Sequence, residues 1–325
     1  MKRRTCLALT AGAASHLVSW GARAQQPALP VVGVLGGTAP LPGVVGPLLE
    51  GLAQGGFHVG RNVAIEYRWA DNQPQRLPAL VAELLRIPVA VIVAISGAPA
   101  RAAKAATTSV PVVFEVGADP VVSGLVDSLA RPGGNLTGVH LFTADLNAKR
   151  LGLLFEMVPR AATIGALVNP TLIGAQGVEA ELTRAAAALG VTPFIVHAAS
   201  EGEFDAAFAR IVAKRAGALI VGNDPFFNSQ REVLIALAKR HALPAVYESR
   251  QYVTRGGLMS YGADFASVFR QLGAYTARIL RGDRPADLPV VQPTRFELVI
   301  NRGTANALGL TIPSSLLLRA DEVIE

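Results

Sequence analysis

The feature that most constrains this chain is a recurrence of short, unbroken Val/Ile-rich runs separated by stretches with helical spacing. Runs at 31–35, 89–95, 112–116, 164–168, 194–196, 218–221 and 245–247 lack polar alternation. That is the pattern of strands buried on both faces of a parallel sheet. Residues 62–69 alternate more and predict an edge strand. Between the runs, Leu77, Leu80 and Leu84 share one helical stripe. So do Phe204, Phe208 and Ile211, and Val268, Leu272, Tyr275 and Ile279. Gly55-Gly56 and Gly282 fit helix stops, and fit plain surface turns equally well.

Strand and helix in alternation predict doubly wound α/β layers. The number of runs exceeds one compact sheet, so the chain is expected to form two doubly wound parallel-sheet lobes joined by three crossing strands. The first crossing is expected at 136–142, after the breaker cluster Arg131-Pro132-Gly133-Gly134-Asn135. The others are expected at 256–262 and at 288–301, the latter entered through Pro285 and Pro289. This places 25–139 with 257–287 in lobe 1, and 140–256 with 288–325 in lobe 2.

The amino terminus has the layout of an export signal. Lys2, Arg3 and Arg4 precede a mostly apolar stretch over 6–20, and Ala22-Arg23-Ala24 offers small residues for cleavage. Thr10, Ser15, His16 and Ser19 interrupt the apolar stretch, which is too short to span a bilayer. Residues 1–24 are therefore expected to be removed, leaving a periplasmic chain with no membrane span. The Arg3-Arg4 pair is also compatible with a twin-arginine route. Cys6, the one cysteine, lies inside this segment, so the mature chain has neither disulfides nor thiol chemistry. Cleavage also removes four cations and no acid, which takes the formal net charge from +6 to +2. No Lys/Arg cluster of the kind that tracks a phosphate backbone remains, and nucleic acid is excluded as a partner.

Several motifs, taken in order, resemble the ABC-transporter substrate-binding family that includes the tryptophan- and tyrosine-type binding proteins. They are Gly60-Arg61-Asn62-Val63 with Ile65-Glu66-Tyr67-Arg68-Trp69-Ala70, then Ala105-Ala106-Thr107-Thr108, Pro111-Val112-Val113-Phe114 and Asp119-Pro120-Val121. Arg131 to Gly138 follows, and then Pro293-Thr294-Arg295-Phe296-Glu297-Leu298-Val299-Ile300-Asn301 with Ala307-Leu308-Gly309-Leu310. The resemblance implies a type I periplasmic-binding-protein fold. It further implies a monomer whose lobes close on a small-molecule ligand and deliver it to an ABC permease and its ATPase in the inner membrane.

Ligands of open parallel sheets bind beyond the strand carboxyl ends, and the loops expected there supply the candidate site. In the first lobe these are Gly36-Gly37-Thr38, then Ser96, Gly97 and Ala98 at a helix start, then Glu115 with Asp119. Ser96-Gly97 suits a carboxylate, and Ser96 is equally well a plain N-cap. Glu115 in an apolar run needs a partner such as a ligand ammonium or an internal donor. Asp119 could equally cap the following turn. In the second lobe the candidates are Asn169, the stretch Asn223-Asp224-Pro225-Phe226-Phe227, Tyr247 and Tyr261. Asp224 is the alternative ammonium partner. Phe226, Phe227, Tyr247 and Tyr261 could wall an apolar pocket, or could simply pack on neighbouring helices. Arg250 could pair with Glu248, with Asp224 or with a ligand acid. The resemblance, with the chemistry of these residues, implies an amino acid or related small carboxylate with an apolar or aromatic side chain, and no cofactor is expected.

No phosphate-binding G-x-x-x-x-G-K-[ST], no G-x-S-x-G elbow and no H-E-x-x-H occurs. His58, His140, His197 and His241 match no metal spacing. The chain is therefore expected not to be an enzyme. The competing readings are an exported α/β hydrolase with an unfamiliar nucleophile such as Ser96, and a ligand-sensing subunit of a membrane receptor.

Overall fold

Two separate β-sheets organise the chain in this computed structural model, which describes residues 29–39, 43–141, 143–172 and 174–325. The expected export signal at 1–24, with Cys6, lies outside them. The first sheet is built from β1 (Val31–Gly36), β2 (Ala64–Trp69), β3 (Val89–Ile95), β4 (Val112–Val116) and β5 (Leu136–His140). Helices α1 (Val45–Gln54), α2 (Leu77–Arg86) and α3 (Gly97–Ala106) alternate with these strands. The strand order is β2-β1-β3-β4-β5 and every pairing is parallel, with the alternating strand β2 at the edge.

The chain then passes into α4 (Thr143–Met157), β6 (Thr163–Val168), α5 (Ala175–Ala188), β7 (Thr192–His197) and α6 (Phe204–Ala213). Next come β8 (Ala218–Val221), α7 (Pro225–Ser229), α8 (Arg231–Arg240), β9 (Ala245–Tyr247), α9 (Arg250–Val253) and β10 (Met259–Ala263). Helix α10 (Phe265–Leu280) returns to pack on α1 and the first sheet. Strand β11 (Phe296–Asn301), helices α11 (Arg302–Ala307) and α12 (Ser314–Arg319), and β12 (Glu322–Ile324) complete the second sheet. Its order is β12-β11-β10-β9-β8-β6-β7, parallel except between β10 and β11.

Packing explains why these short helices persist. Helix α2 has ten residues, too few to hold in water alone. Its Leu77, Leu80 and Leu84 are buried against the first sheet, and each contributes roughly 1.5–3 kcal/mol by leaving water. Val268, Leu272, Tyr275 and Ile279 of α10 cover the other face. In the second lobe, Phe204, Phe208 and Ile211 of α6 anchor one core and α4 with α5 the other.

The chain crosses between the sheets three times, but the crossings are short connections outside the strands. One runs from β5 into α4, one turns at Asp264 between β10 and α10, and one lies between residues 291 and 296. The expected lobe boundaries shift accordingly. Residues 259–263, expected in lobe 1, pair within the second sheet. Residues 288–291, expected in lobe 2, run beside β5, where Thr137 donates to the Leu288 carbonyl at 2.6 Å and Val139 bridges Val291. Hydrophobic runs look alike whichever sheet accepts them, so pairing was not readable from the pattern.

Candidate functional site

Both sheets have a point where strand order reverses, and both points face the same cleft. In the first sheet it lies between β1 and β3, in the second between β6 and β8. Loops leaving the carboxyl ends diverge at such points and leave a crevice. Thr38 and Ser96 flank the first crevice, and Asn169 and Asp224 flank the second.

Ionisable side chains buried here include Glu115 at the end of β4 (7% exposed), Glu248 after β9 (4%), Asp224 after β8 (3%) and Arg150 in α4 (1%). Arg150 donates through Nε to the Tyr261 carbonyl at 2.7 Å and through Nη1 to Asn147 Oδ1 at 2.8 Å. Asn147 in turn donates to Glu181 at 3.1 Å. Burial lowers the Arg150 pKa, and the charges of Glu248 and Glu181 oppose that. Glu248 is pushed up to about 8 by burial; Arg150 holds it down, and Asp224 and Glu115 push it further. Its Oε2 is buried without a hydrogen-bond partner, as are the hydroxyls of Ser249 and Ser260. Burial pushes Glu115 up to about 7, against the backbone N–H of Ser96.

The walls between these groups are Arg150, Asn223 and Glu248 on the polar side and Leu141, Leu146 and Phe265 on the apolar side. Phe265 belongs to the helix that returns to the first lobe, so the site is enclosed by both. The space left is about 10 Å³, room for about one water. A solute enters only if the lobes part. At the rim they touch directly, where Asn72 donates to the Ser229 hydroxyl at 3.1 Å. A broader depression of about 540 Å³ near Thr108, Asn135 and Arg284 lies at the amino ends of the strands. Its charged residues, Asp283 and Arg284, are exposed, so it lacks the buried charge that marks the cleft.

The structure brings Thr38, Ser96, Glu115, Asn169, Asn223 and Asp224 to the cleft ends of their strands. Ser96 does not cap α3 with its side chain and holds φ 83° and ψ 166°, a backbone region almost confined to glycine. Gly97 and Ala98 open α3 behind it. The Thr38 hydroxyl donates to the Ala39 carbonyl at 3.0 Å. Asp224 is the N-cap of α7, accepting from Phe227 N–H at 3.0 Å and from Asn169 Nδ2 at 3.1 Å. Burial raises its pKa and these bonds lower it.

Four expectations are corrected. Phe227 is fully buried in the core and not a pocket wall, and the half-buried Phe226 also packs on Phe204 of α6, with ring centroids 5.8 and 5.6 Å from that of Phe204. Tyr247 lies in the same core, stacked on Tyr252 at 4.4 Å. Tyr261 stacks on Phe296 and presents only its carbonyl to Arg150. Asp119 is exposed and accepts from the N–H groups of Val121 and Val122, the turn-capping alternative. Arg250 pairs with Glu297 at 3.3 Å and with Glu322, away from Glu248.

Arg150 was missed. The signal was present: Leu146, Arg150, Leu153 and Met157 fall on one helical stripe, with a cation at a core position. Glu248 lies in the candidate stretch Tyr247-Glu248-Ser249-Arg250, where sequence alone gives it no role beyond pairing with Arg250. Among the described residues no cluster of His, Cys, Asp or Glu is arranged to hold a metal ion, and no helix is long and apolar enough to cross a membrane.

The family profile described as ABC transporter substrate binding protein matches residues 37–324. A tyrosine-binding protein of Clostridioides difficile is 26% identical over 264 residues, covering 81% of this chain and 75% of that protein. Among solved structures, a conserved domain protein from Vibrio cholerae O1 biovar El Tor superposes with a TM-score of 0.84 at 29% identity, covering 90% of this chain and 99% of that one. An ABC domain from Streptococcus pneumoniae in complex with L-Trp gives 0.81 at 25% identity, covering 91% and 100%.

Proposed function

The chain belongs to the ABC transporter substrate binding protein family, a family of binding proteins and not of enzymes, and from that premise we propose that it captures a small amino acid or related carboxylate between its lobes. In this reading residues 1–24 direct export to the periplasm, where the loaded protein docks on a membrane permease driven by an ATPase. The observation that carries the reading is an interlobe cavity lined by a buried guanidinium, Arg150, and a buried carboxyl, Glu248, with a second carboxyl, Glu115, buried at the cleft end of β4. An α-amino acid carries the complementary pair, a carboxylate for the cation and an ammonium for the acids.

The apolar wall of Leu141, Leu146 and Phe265 supports an apolar or aromatic side chain, in place of the phenylalanines first considered. The relatives named for tyrosine and for L-Trp point the same way. The test is a thermal-shift screen of the exported protein against amino acids, small aromatic acids and sugars, followed by calorimetry. Ligand at about 100 times its Kd stabilises the folded state by about 2.7 kcal/mol. Hits confined to amino acids or small carboxylates, and weakened at least tenfold by Arg150→Gln, are expected. A screen in which only sugars raise the melting temperature rejects the reading.

A further inference from the structure

Arg150 and Glu248 line the same interlobe cavity, yet among the described residues they form no ion pair with each other. Opposite charges that share a space shut off from water attract strongly, so the guanidinium has to be held back. We infer that Asn147 and Glu181 are positioning residues that brace Arg150 away from Glu248. Cation and acid then stay apart as two separate poles, one for a solute's carboxylate and one for its ammonium. The inference rests on the solute-binding reading above and adds what keeps the site from pairing with itself.

The brace is a chain of hydrogen bonds that leaves the cleft through α4 and ends on α5. Asn147 and Arg150, three residues apart, share one face of α4, and both are buried. Arg150 Nη1 donates to Asn147 Oδ1 at 2.8 Å, and Asn147 Nδ2 donates to Glu181 Oε2 at 3.1 Å. Glu181 is half-buried on α5, and the Ala148 N–H donates to its Oε1 at 3.3 Å. On the opposite side Arg150 Nε donates to the Tyr261 carbonyl of β10 at 2.7 Å. Two of the three guanidinium nitrogens are thereby committed, and Nη2 has no hydrogen-bond partner among the described residues. The other buried charges do not enter the pairing. Arg231 donates through Nη1 to the Asn228 carbonyl at 2.7 Å and lies outside the cavity lining. Both oxygens of Asp224 are occupied by the α7 cap and Asn169. Glu115 belongs to the first lobe and is also outside the lining.

Glu248 is within reach of a released Arg150. A Cβ at Gly262 would lie 1.8 Å from the Glu248 carbonyl oxygen and 3.8 Å from Arg150 Nη2. Only a residue without a side chain lets the Glu248 backbone pass so closely, and that brings it within a side-chain length of the guanidinium. Glu248 Oε2 is buried with no hydrogen-bond partner. A buried acid left unpaired is costly, and a guanidinium with a spare nitrogen relieves it. Without the pull of Asn147 and Glu181, the two groups meet across a cavity of only about 10 Å³. That ion pair occupies both poles at once and excludes the solute.

The experiment has one arm without solute and one with it. In the first, urea denaturation at pH 8 compares wild type, Asn147→Ala, Glu248→Gln and the double variant. In wild type, Glu248→Gln removes an unpaired buried acid and raises stability. In Asn147→Ala, where Arg150 has moved onto Glu248, the same change should raise the folding equilibrium constant at least about fivefold less. Glu181→Ala, at a half-buried position, replaces Asn147→Ala in a parallel cycle and should show the same coupling, which covers a failure of the buried variant to fold. In the second arm, calorimetry follows 3-phenylpropionate, which needs only the cation. Asn147→Ala and Glu181→Ala should each weaken it by about fivefold or more. Adding Glu248→Gln should restore the affinity of the Glu248→Gln single variant, a rescue that simple damage to the fold does not allow. An equal gain from Glu248→Gln with and without the brace overturns the inference, and so does a binding loss that Glu248→Gln fails to rescue. If wild type binds neither 3-phenylpropionate nor L-phenylalanine while the stability coupling holds, the brace stands and the amino-acid reading falls.

Discussion

Asn169 and Asp224, 55 residues apart, meet at 3.1 Å across the strand-order reversal of the second sheet. The bond ties the loop after β6 to the loop after β8, and the other Asp224 oxygen caps α7. Asp224 is thereby a structural acid at the cleft, while Glu248, whose Oε2 lacks a partner, is the acid with capacity to spare.

Replacing Asp224 by Ala should accordingly cost about 1–2 kcal/mol, the usual loss for a cap. Asp224→Asn should cost less and change solute affinity less than Glu248→Gln does. Urea denaturation and calorimetry on the three variants check the order. A larger affinity loss in Asp224→Asn would return the ammonium contact to Asp224.

Stability should depend on pH through Glu248. Its folded-state pKa of about 8 lies above the ordinary carboxyl value of 4.5. Its contribution is therefore whole below about pH 4.5 and is lost as pH rises toward 8. Wild type and Glu248→Gln should match in stability near pH 5. At pH 8.5 the variant should be more stable by on the order of 2–4 kcal/mol. Denaturation across pH 5–9 measures the divergence.

Ser96 holds a backbone conformation natural only to glycine, φ 83° and ψ 166°. Relief of such strain, partly offset by the freer unfolded chain, predicts that Ser96→Gly is stabilised by about 1 kcal/mol. If its hydroxyl also contacts solute, affinity will fall while stability rises. The opposite signs separate strain from binding in one variant.

The rim contact from Asn72 to Ser229 exists only with the lobes shut, and Asn72 adopts φ 60°, which Asn tolerates better than most residues. Asn72→Ala should leave the fold intact and weaken solute binding by up to about fivefold, the worth of one exposed hydrogen bond. Ser229→Ala should do the same, and the double variant no more. Additive losses would show that the two act separately.

Much of this protein was legible in its sequence because the relevant physics is local. An unbroken Val/Ile run bounded by breakers favours a strand covered on both faces, as β1, β3, β4 and β8 are, although the run at 194–196 falls in the half-buried edge strand β7. Leu77, Leu80 and Leu84 share one face of a helix. Strand ends follow from strands, so Thr38, Ser96, Glu115, Asn169 and Asp224 could be placed at the cleft before any sheet was assembled. Tertiary structure decided the rest. Whether β10 joins the first or second sheet depends on pairing partners far away in the chain. Phe227 is buried in the core because α7 packs against Phe204, an orientation that no spacing encodes. Arg150, on an otherwise apolar stripe, acquires its meaning only when folding sets it beside Glu248, 98 residues later in the chain, and shuts water away from both.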